Sequence, residues 1–190
     1  VDAFWRWWPE LSTELEEIRV TGGEPLMTPS IYKLFDWFRE TDEPNAKKMR
    51  FAINSNLMAK PGLLNKFIDA TQHIDHFHLY TSCEAYGPAA EYIRDGLDWE
   101  IWTAQFERFA TEARYDGVHM MMTINALCLD TITEFWDWTL TMKRKYGHQV
   151  PGISVNILRF PSFQSPLTLP DNLRKIYHDE ISAWLDSVRS

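Results

Sequence analysis

The chain has 190 residues, 45% hydrophobic and 24% charged, an ordinary globular composition with enough length for one domain and a sizeable core. A formal net charge of -8 argues against a nucleic-acid surface, nine Trp within 14% aromatics argue against disorder, and no run approaches the ~20 apolar residues of a membrane span. Two cysteines, Cys83 and Cys128, support no disulfide framework, and with no leader pattern at the start the expected setting is a reducing cytoplasm.

In chain order, Ala3 to Leu15 (AFWRWWPELSTEL) reads as helix with a break near Pro9. A strand is predicted over Glu17 to Thr21 (EIRVT), followed by a helix opening at Thr28 and Pro29. Met49 to Ser55 (MRFAINS) is the second strand, and Pro61 opens the next helix. His76 to Ser82 (HFHLYTS) is the third. Asp98 then precedes a helical stripe of Ile101, Trp102, Gln105, Phe106 and Phe109. Gly117 to Asn125 (GVHMMMTIN) is the fourth strand, and Thr131 and Glu134 have capping-box spacing for a helix stopped by Gly147. Gly152 to Leu158 (GISVNIL) is the fifth, and Pro170 with Asp171 opens a last helix reaching about Ser187. Strands recurring at roughly 27 to 40 residues, with helices between, predict right-handed βα units around a parallel sheet.

The strands alternate. Ile18 and Val20, Phe51 and Ile53, Phe77 and Leu79, Val118, Met120 and Met122, and Ile153, Val155 and Ile157 share one parity. Arg19, Asn54, His78, Tyr80, His119, Thr123, Ser154 and Asn156 take the other. Side chains alternate faces along a strand, so one face of the sheet is apolar and the other polar. A parallel sheet covered on both sides would read as continuous Val, Ile and Leu. A polar face is either solvated or surrounds a ligand, because an unsatisfied buried polar group costs about 1–3 kcal/mol. The pattern predicts a small, partly open barrel with a wet lumen; the alternative is an open sheet with polar edge strands.

Gly22, Gly23, Glu24 and Pro25 follow the first strand, at the strand end where ligands bind in parallel α/β folds. Two glycines let the backbone approach a ligand and leave carbonyls free, Glu24 adds an acceptor for an ammonium group, and Pro25 fixes the exit. The alternative is a strand-to-loop turn with a solvated Glu.

This GGEP segment resembles the hallmark of the radical S-adenosylmethionine (SAM) enzymes, where it contacts the cofactor's methionyl amino group. INSN at Ile53 to Asn56 is similar to the Thr-Asn-Gly-like turn of that superfamily, which brings in Ser55 and Asn56. TSCEAYGPAAEYIRDG at Thr81 to Gly96 resembles its segment after the fourth strand. The resemblance implies that Ser82 and Arg94 hold the cofactor carboxylate and that Glu84 lies near the ribose or substrate. It implies that Asn125 and Asn156 or Leu158 approach ribose and adenine. It covers Glu17 to Leu158 and implies a (β/α)6 partial barrel of radical SAM type with five strands present and the first missing. The branch it is most similar to modifies peptides.

One departure stands out. The superfamily's Cys-x3-Cys-x2-Cys loop, which holds a 4Fe-4S cluster, has no counterpart here, since no cysteine precedes Cys83. With a helix where a first strand belongs, the expectation is a single domain over residues 1–190, truncated at both ends. The 4Fe-4S ligands would then lie in the parent outside this chain. Implied partners are a small-molecule or peptide substrate and an electron donor such as flavodoxin or ferredoxin, with no nucleic acid and no membrane. A degenerate barrel that binds a nucleotide or amine without catalysis is the alternative function, and a His-metal hydrolase a third.

Other candidates have plain structural readings beside the functional ones. His73, His76 and His78 could hold a metal, or His78 could be satisfied within the polar face or touch substrate. Cys83 and Cys128 could be extra ligands or hydrogen donors, or small apolar core residues. FWRWW could be a partner or membrane surface, or an aromatic face packed on the sheet. MKRKYGH reads as a basic helix end complementing the dipole.

Overall fold

Five parallel strands pair in the order of the sequence: β1 (Glu17–Val20), β2 (Arg50–Asn54), β3 (His76–Ser82), β4 (Gly117–Ile124) and β5 (Gly152–Ile157). They are seen in a computed structural model that describes residues 1–147 and 150–189. The helices between them are α2 (Pro29–Glu40), α3 (Pro61–Thr71), the short α4 (Pro88–Ile93), α5 (Trp99–Glu112) and α6 (Ile132–Tyr146), with α1 (Asp2–Leu11) before the sheet and α7 (Asp171–Arg189) after it. The protein is an α/β fold with an all-parallel sheet.

Sequential strand order has a geometric consequence. Right-handed crossovers between consecutive neighbours deliver every connecting helix to the same face. The aromatic contacts agree with this. Phe51 meets Phe35 and Phe38 of α2 at 5.8 and 5.4 Å, and Phe77 meets Phe67 of α3 at 5.7 Å and Phe109 of α5 at 6.1 Å. Phe51, Ile53, Phe77, Leu79, Val118, Met120 and Met122 are all fully buried, joined to the helices in one core. Fully burying each such side chain contributes about 1.5–3 kcal/mol.

The other parity stays half-open. Arg50, Asn54, His78, Tyr80, Ser82 and His119 are partly exposed, and Arg19, Ser154 and Asn156 are exposed. Register places Arg19, Ala52, His78 and Gly117 in one row across the sheet and Asn54, Tyr80, His119 and Gly152 in the next. The polar face expected from alternation is present, but the apolar face expected in all five strands fails on β5. Ile153, Val155 and Ile157 are exposed, because β5 is the edge of the sheet and the helix after it, α7, packs on α6 through Trp184.

Local signals act as anticipated at several ends. Asp98 accepts from Ile101 N at 2.9 Å and caps α5, Pro29 and Pro61 open their helices, and Gly147 closes α6 at φ 95. Three expectations need correction. α1 continues through Pro9 to Leu11, because Trp8 is anchored edge-on to Trp37 of α2 at 4.9 Å and packing outweighs one lost backbone bond. Thr131 heads α6 without capping it; its hydroxyl accepts from Tyr86 N instead. Thr28 precedes α2 with no side-chain cap bond.

FWRWW is mostly a packing face: Phe4, Trp5 and Trp8 contact one another, while Trp7 is exposed. α7 lies on α6 through Trp184, whose ring meets Trp136 at 4.9 Å and whose Nε1 donates to Asp137 at 2.8 Å. The basic run ends α6, where Lys145 pairs with Glu107; His148 of that run lies outside the described residues. No helix among the described residues is long and apolar enough to cross a membrane.

Candidate functional site

Parallel strands bring their C-terminal ends to one edge of a sheet, and the loops there meet. Gly22 to Pro25 leave β1, Ser55 and Asn56 leave β2, Ser82 ends β3 with Glu84 just beyond, Asn125 follows β4 and Leu158 follows β5. The structure joins these residues into two tight pairs and leaves the others at separate stations.

The first pair links the loops after β1 and β2. Gly22 and Gly23 take φ 88 and 49, which favours glycine, and a Cβ on either would meet nothing within 4 Å. The backbone there is open to an approaching group. Glu24 is less open than its sequence suggests. Its Oε1 accepts from Leu26 N at 3.0 Å and Ser55 Oγ at 2.9 Å, and its Oε2 accepts from Asn56 N at 2.7 Å. A carboxylate offers about four acceptor sites, so Glu24 is chiefly a clamp between two loops and has about one left for an ammonium. Pro25 is buried and opens a short 3-10 turn that Glu24 caps.

The INSN turn is equally constrained. Ser55 Oγ accepts from Leu57 N at 3.1 Å, and Asn56 Oδ1 accepts from Met58 N at 2.8 Å. Between them Leu57 sits at φ 57 with its side chain fully buried. A non-glycine residue there costs about 1–3 kcal/mol and persists only where its surroundings over-determine it.

The second pair lies beyond β3. Arg94 donates Nε and Nη2 to Glu84 at 2.8 and 2.5 Å, a bidentate contact whose carboxylate side chain is 4% exposed and whose guanidinium side chain is 30% exposed. Burial pulls the Arg94 guanidinium down, and Glu84 outweighs it, leaving it above its usual value. The fork expected to hold an outside carboxylate is thus committed to Glu84, with Nη1 left over. The Ser82 hydroxyl is partly exposed and makes no hydrogen bond among the described residues.

The remaining candidates make no hydrogen bond to these pairs among the described residues. Asn125 is buried and closes on its own loop, accepting from Leu127 N at 2.9 Å and donating to the Thr123 carbonyl at 3.3 Å. Asn156 is exposed on the edge strand opposite Thr123, and Leu158 N donates to the Ile124 carbonyl at 2.8 Å, extending the ladder. A groove of about 490 Å³ lies beside β1, between α1 and α2, and Gly22 and Arg19 reach its wall together with Trp5 and Leu34.

The three histidines separate. His76 pairs with Asp116 at 2.8 Å, His78 meets His119 at 3.0 Å, and His73 lines a different hollow beside Asp75 and Arg114. No group of three His, Cys, Asp or Glu placed for a metal occurs among the described residues. Cys83 and Cys128 are both buried, and burial pushes their thiols up to about 12 and about 11. Two cysteines fall short of the thiolate set a 4Fe-4S cluster needs.

Arg19, Arg50, Tyr80 and His119 also meet on the polar face, beyond the residues expected from the sequence to form a site. Their strand parity was visible in the sequence; the register that joins them was not. No protein-family model matches the chain, and no curated protein matches it.

Proposed function

We propose that this chain is the cofactor-holding part of a radical SAM-type partial (β/α)6 barrel, acting on a small-molecule or peptide substrate. The observation that carries the reading is the Gly22-Gly23-Glu24-Pro25 loop. It stands at the C-terminal end of a parallel strand with an open backbone and is clamped by Glu24 to the turn after the next strand. The singly wound sheet with one bare polar face supports it. SAM held there beside a 4Fe-4S cluster would, on receiving one electron from a donor protein through that cluster, supply a radical able to take a substrate hydrogen.

The residues suit SAM in part. The glycine pair is exposed with open space beside its backbone for an ammonium, and the partly exposed Ser82 hydroxyl is available to a carboxylate. Glu24 acts mainly by orienting the two loops. The chain's two cysteines fall short of a cluster's thiolate set, so the ligands of a 4Fe-4S cluster and the electron donor would come from outside it. The chain's share of the work is binding and orientation.

Non-catalytic binding of a nucleotide or amine is the second reading, favoured by the Glu84 carboxylate already filling the Arg94 fork. Calorimetric titration with SAM tests both. Saturable binding is expected, and Ser82→Ala should weaken it about tenfold, the worth of one hydrogen bond to a charged group, with the unfolding midpoint unchanged. Absence of saturable SAM binding overturns the reading. Equal affinity for SAM and plain adenosine moves it to the second.

A further inference from the structure

Below the strand-end loops, the middle of the polar face carries a stack that no role above uses. The Arg19 guanidinium lies over the Tyr80 ring, 4.0 Å from its centroid. Tyr80 stacks on His119 with centroids 4.5 Å apart and planes at 20°. His119 in turn lies beside His78, at 5.3 Å and 17°, with a 3.0 Å contact between ring nitrogens. Arg50 meets the same phenol from the side, donating Nη2 to Tyr80 Oη at 2.7 Å. A slab therefore crosses from β1 to β4, with two guanidiniums converging on one tyrosine.

Small residues make room for it. A Cβ on Gly117 would lie 2.8 Å from His119 Nε2 and 3.1 Å from His78 Nδ1, and one on Gly152 would lie 2.8 Å from His119 Nδ1. The imidazole occupies the space two missing side chains leave.

The charge of the slab is positive in a chain of net charge -8. Its one close carboxylate is Glu17, 3.4 Å from Arg50 Nη1; Asp116 is occupied by His76. Arg19 meets neutral partners, the Asn54 carboxamide at 3.2 Å and the Tyr80 ring. Burial, His78 and the two arginines press His119 down to about 4, and burial followed by Arg50 lowers His78. Both imidazoles are therefore neutral near pH 7, and the guanidiniums supply the field.

A guanidinium has five donors. Among the described residues, Arg19 uses Nε alone, and Arg50 uses its two terminal nitrogens while its Nε is buried without a partner. The terminal nitrogens of Arg19 and the second N–H on each terminal nitrogen of Arg50 are left to meet a ligand on this face. We infer that the Arg19, Arg50 and Tyr80 cluster is an oxyanion-binding site, taking the carboxylate or phosphate of a small molecule seated on the open face of the sheet. Guanidinium forks match both groups bidentately, and a positive patch in an acidic protein concentrates such ligands. The neutral imidazole edges of His78 and His119 offer further hydrogen bonds to the same molecule.

Nuclear magnetic resonance tests this directly. The Arg Nε–H and His ring signals are followed while inorganic phosphate or succinate is added, with chloride at matched ionic strength as reference. Saturable shifts at Arg19, Arg50 and His119 are expected, with affinity about tenfold or more above chloride; the tighter of the two probes identifies phosphate or carboxylate as the natural group. Arg19→Gln, on an exposed edge-strand position, should weaken that binding about tenfold without moving the unfolding midpoint. Arg50→Lys, which keeps the charge and removes the fork, should weaken it by a similar factor. Shifts no stronger than those from chloride, or undiminished binding in folded Arg19→Gln, overturn the proposal.

Discussion

On one face of the sheet Phe51, Phe77 and Val118 lie beneath helices with no exposure; on the other, Arg19, Tyr80 and His119 stack on one another and keep contact with solvent. Strands β3 and β4 carry members of both sets. The apolar set is held by removal from water, which is non-directional and grows with area. The polar set is held by a few directional contacts and keeps donors in reserve. Substitution on the first face should therefore act on folding, and on the second chiefly on what the protein binds.

The sharpest way to break that contrast is Phe77→Ala. Phe77 touches Phe51, Phe67 and Phe109 at the centre of the core, so its loss should lower stability by about 3–5 kcal/mol, read as a fall in the denaturant midpoint. A loss comparable to an exposed-site change would deny that the helix-covered face dominates folding.

Glu84→Gln probes the boundary between the two regimes. It leaves the Arg94 charge partly buried and facing a neutral amide. Because Arg94 keeps some contact with solvent, a loss of about 2 kcal/mol is expected, below that of a fully buried pair. An unchanged midpoint would assign the pair to ligand binding alone.

The third effect is read against pH. His119 faces Arg19, Arg50, His78 and Tyr80, and folding lowers its affinity for a proton from the usual 6.5 to about 4. Between those values the unfolded chain binds more protons, so stability contributed by neutral His119 is full above about pH 6.5, falls as the pH drops toward 4 and then levels. His119→Gln should flatten that part of the acid limb relative to the parent chain when the unfolding midpoint is followed against pH. Superimposable curves would place His119 in water rather than in the stack.

Much of the architecture was legible because alternation is a local property. Ile18 and Val20, Phe51 and Ile53, and Phe77 and Leu79 declare their face without knowledge of any partner, and Asp98 and Pro61 declare helix starts the same way. The site was less legible because its chemistry is decided across the chain. Glu24 looks like a free acceptor until Ser55 and Asn56 arrive from β2, and Arg94 looks like a free fork until Glu84 fills it. Thr131 has a capping signature, yet Tyr86 claims its hydroxyl. His78 and His119 share a parity, but only strand pairing across 41 positions sets their rings together.

The close fit of His119 between Gly117 and Gly152 has an evolutionary consequence. A methyl group at 117 or 152 and an imidazole at 119 compete for one volume, so the three positions, on two adjacent strands, are not free to drift independently. Alanine at either glycine should evict the ring, and a compact residue at 119 should then relieve the injury, giving a non-additive pair of changes. Lineages descended from this chain would inherit the trio together or remodel it together.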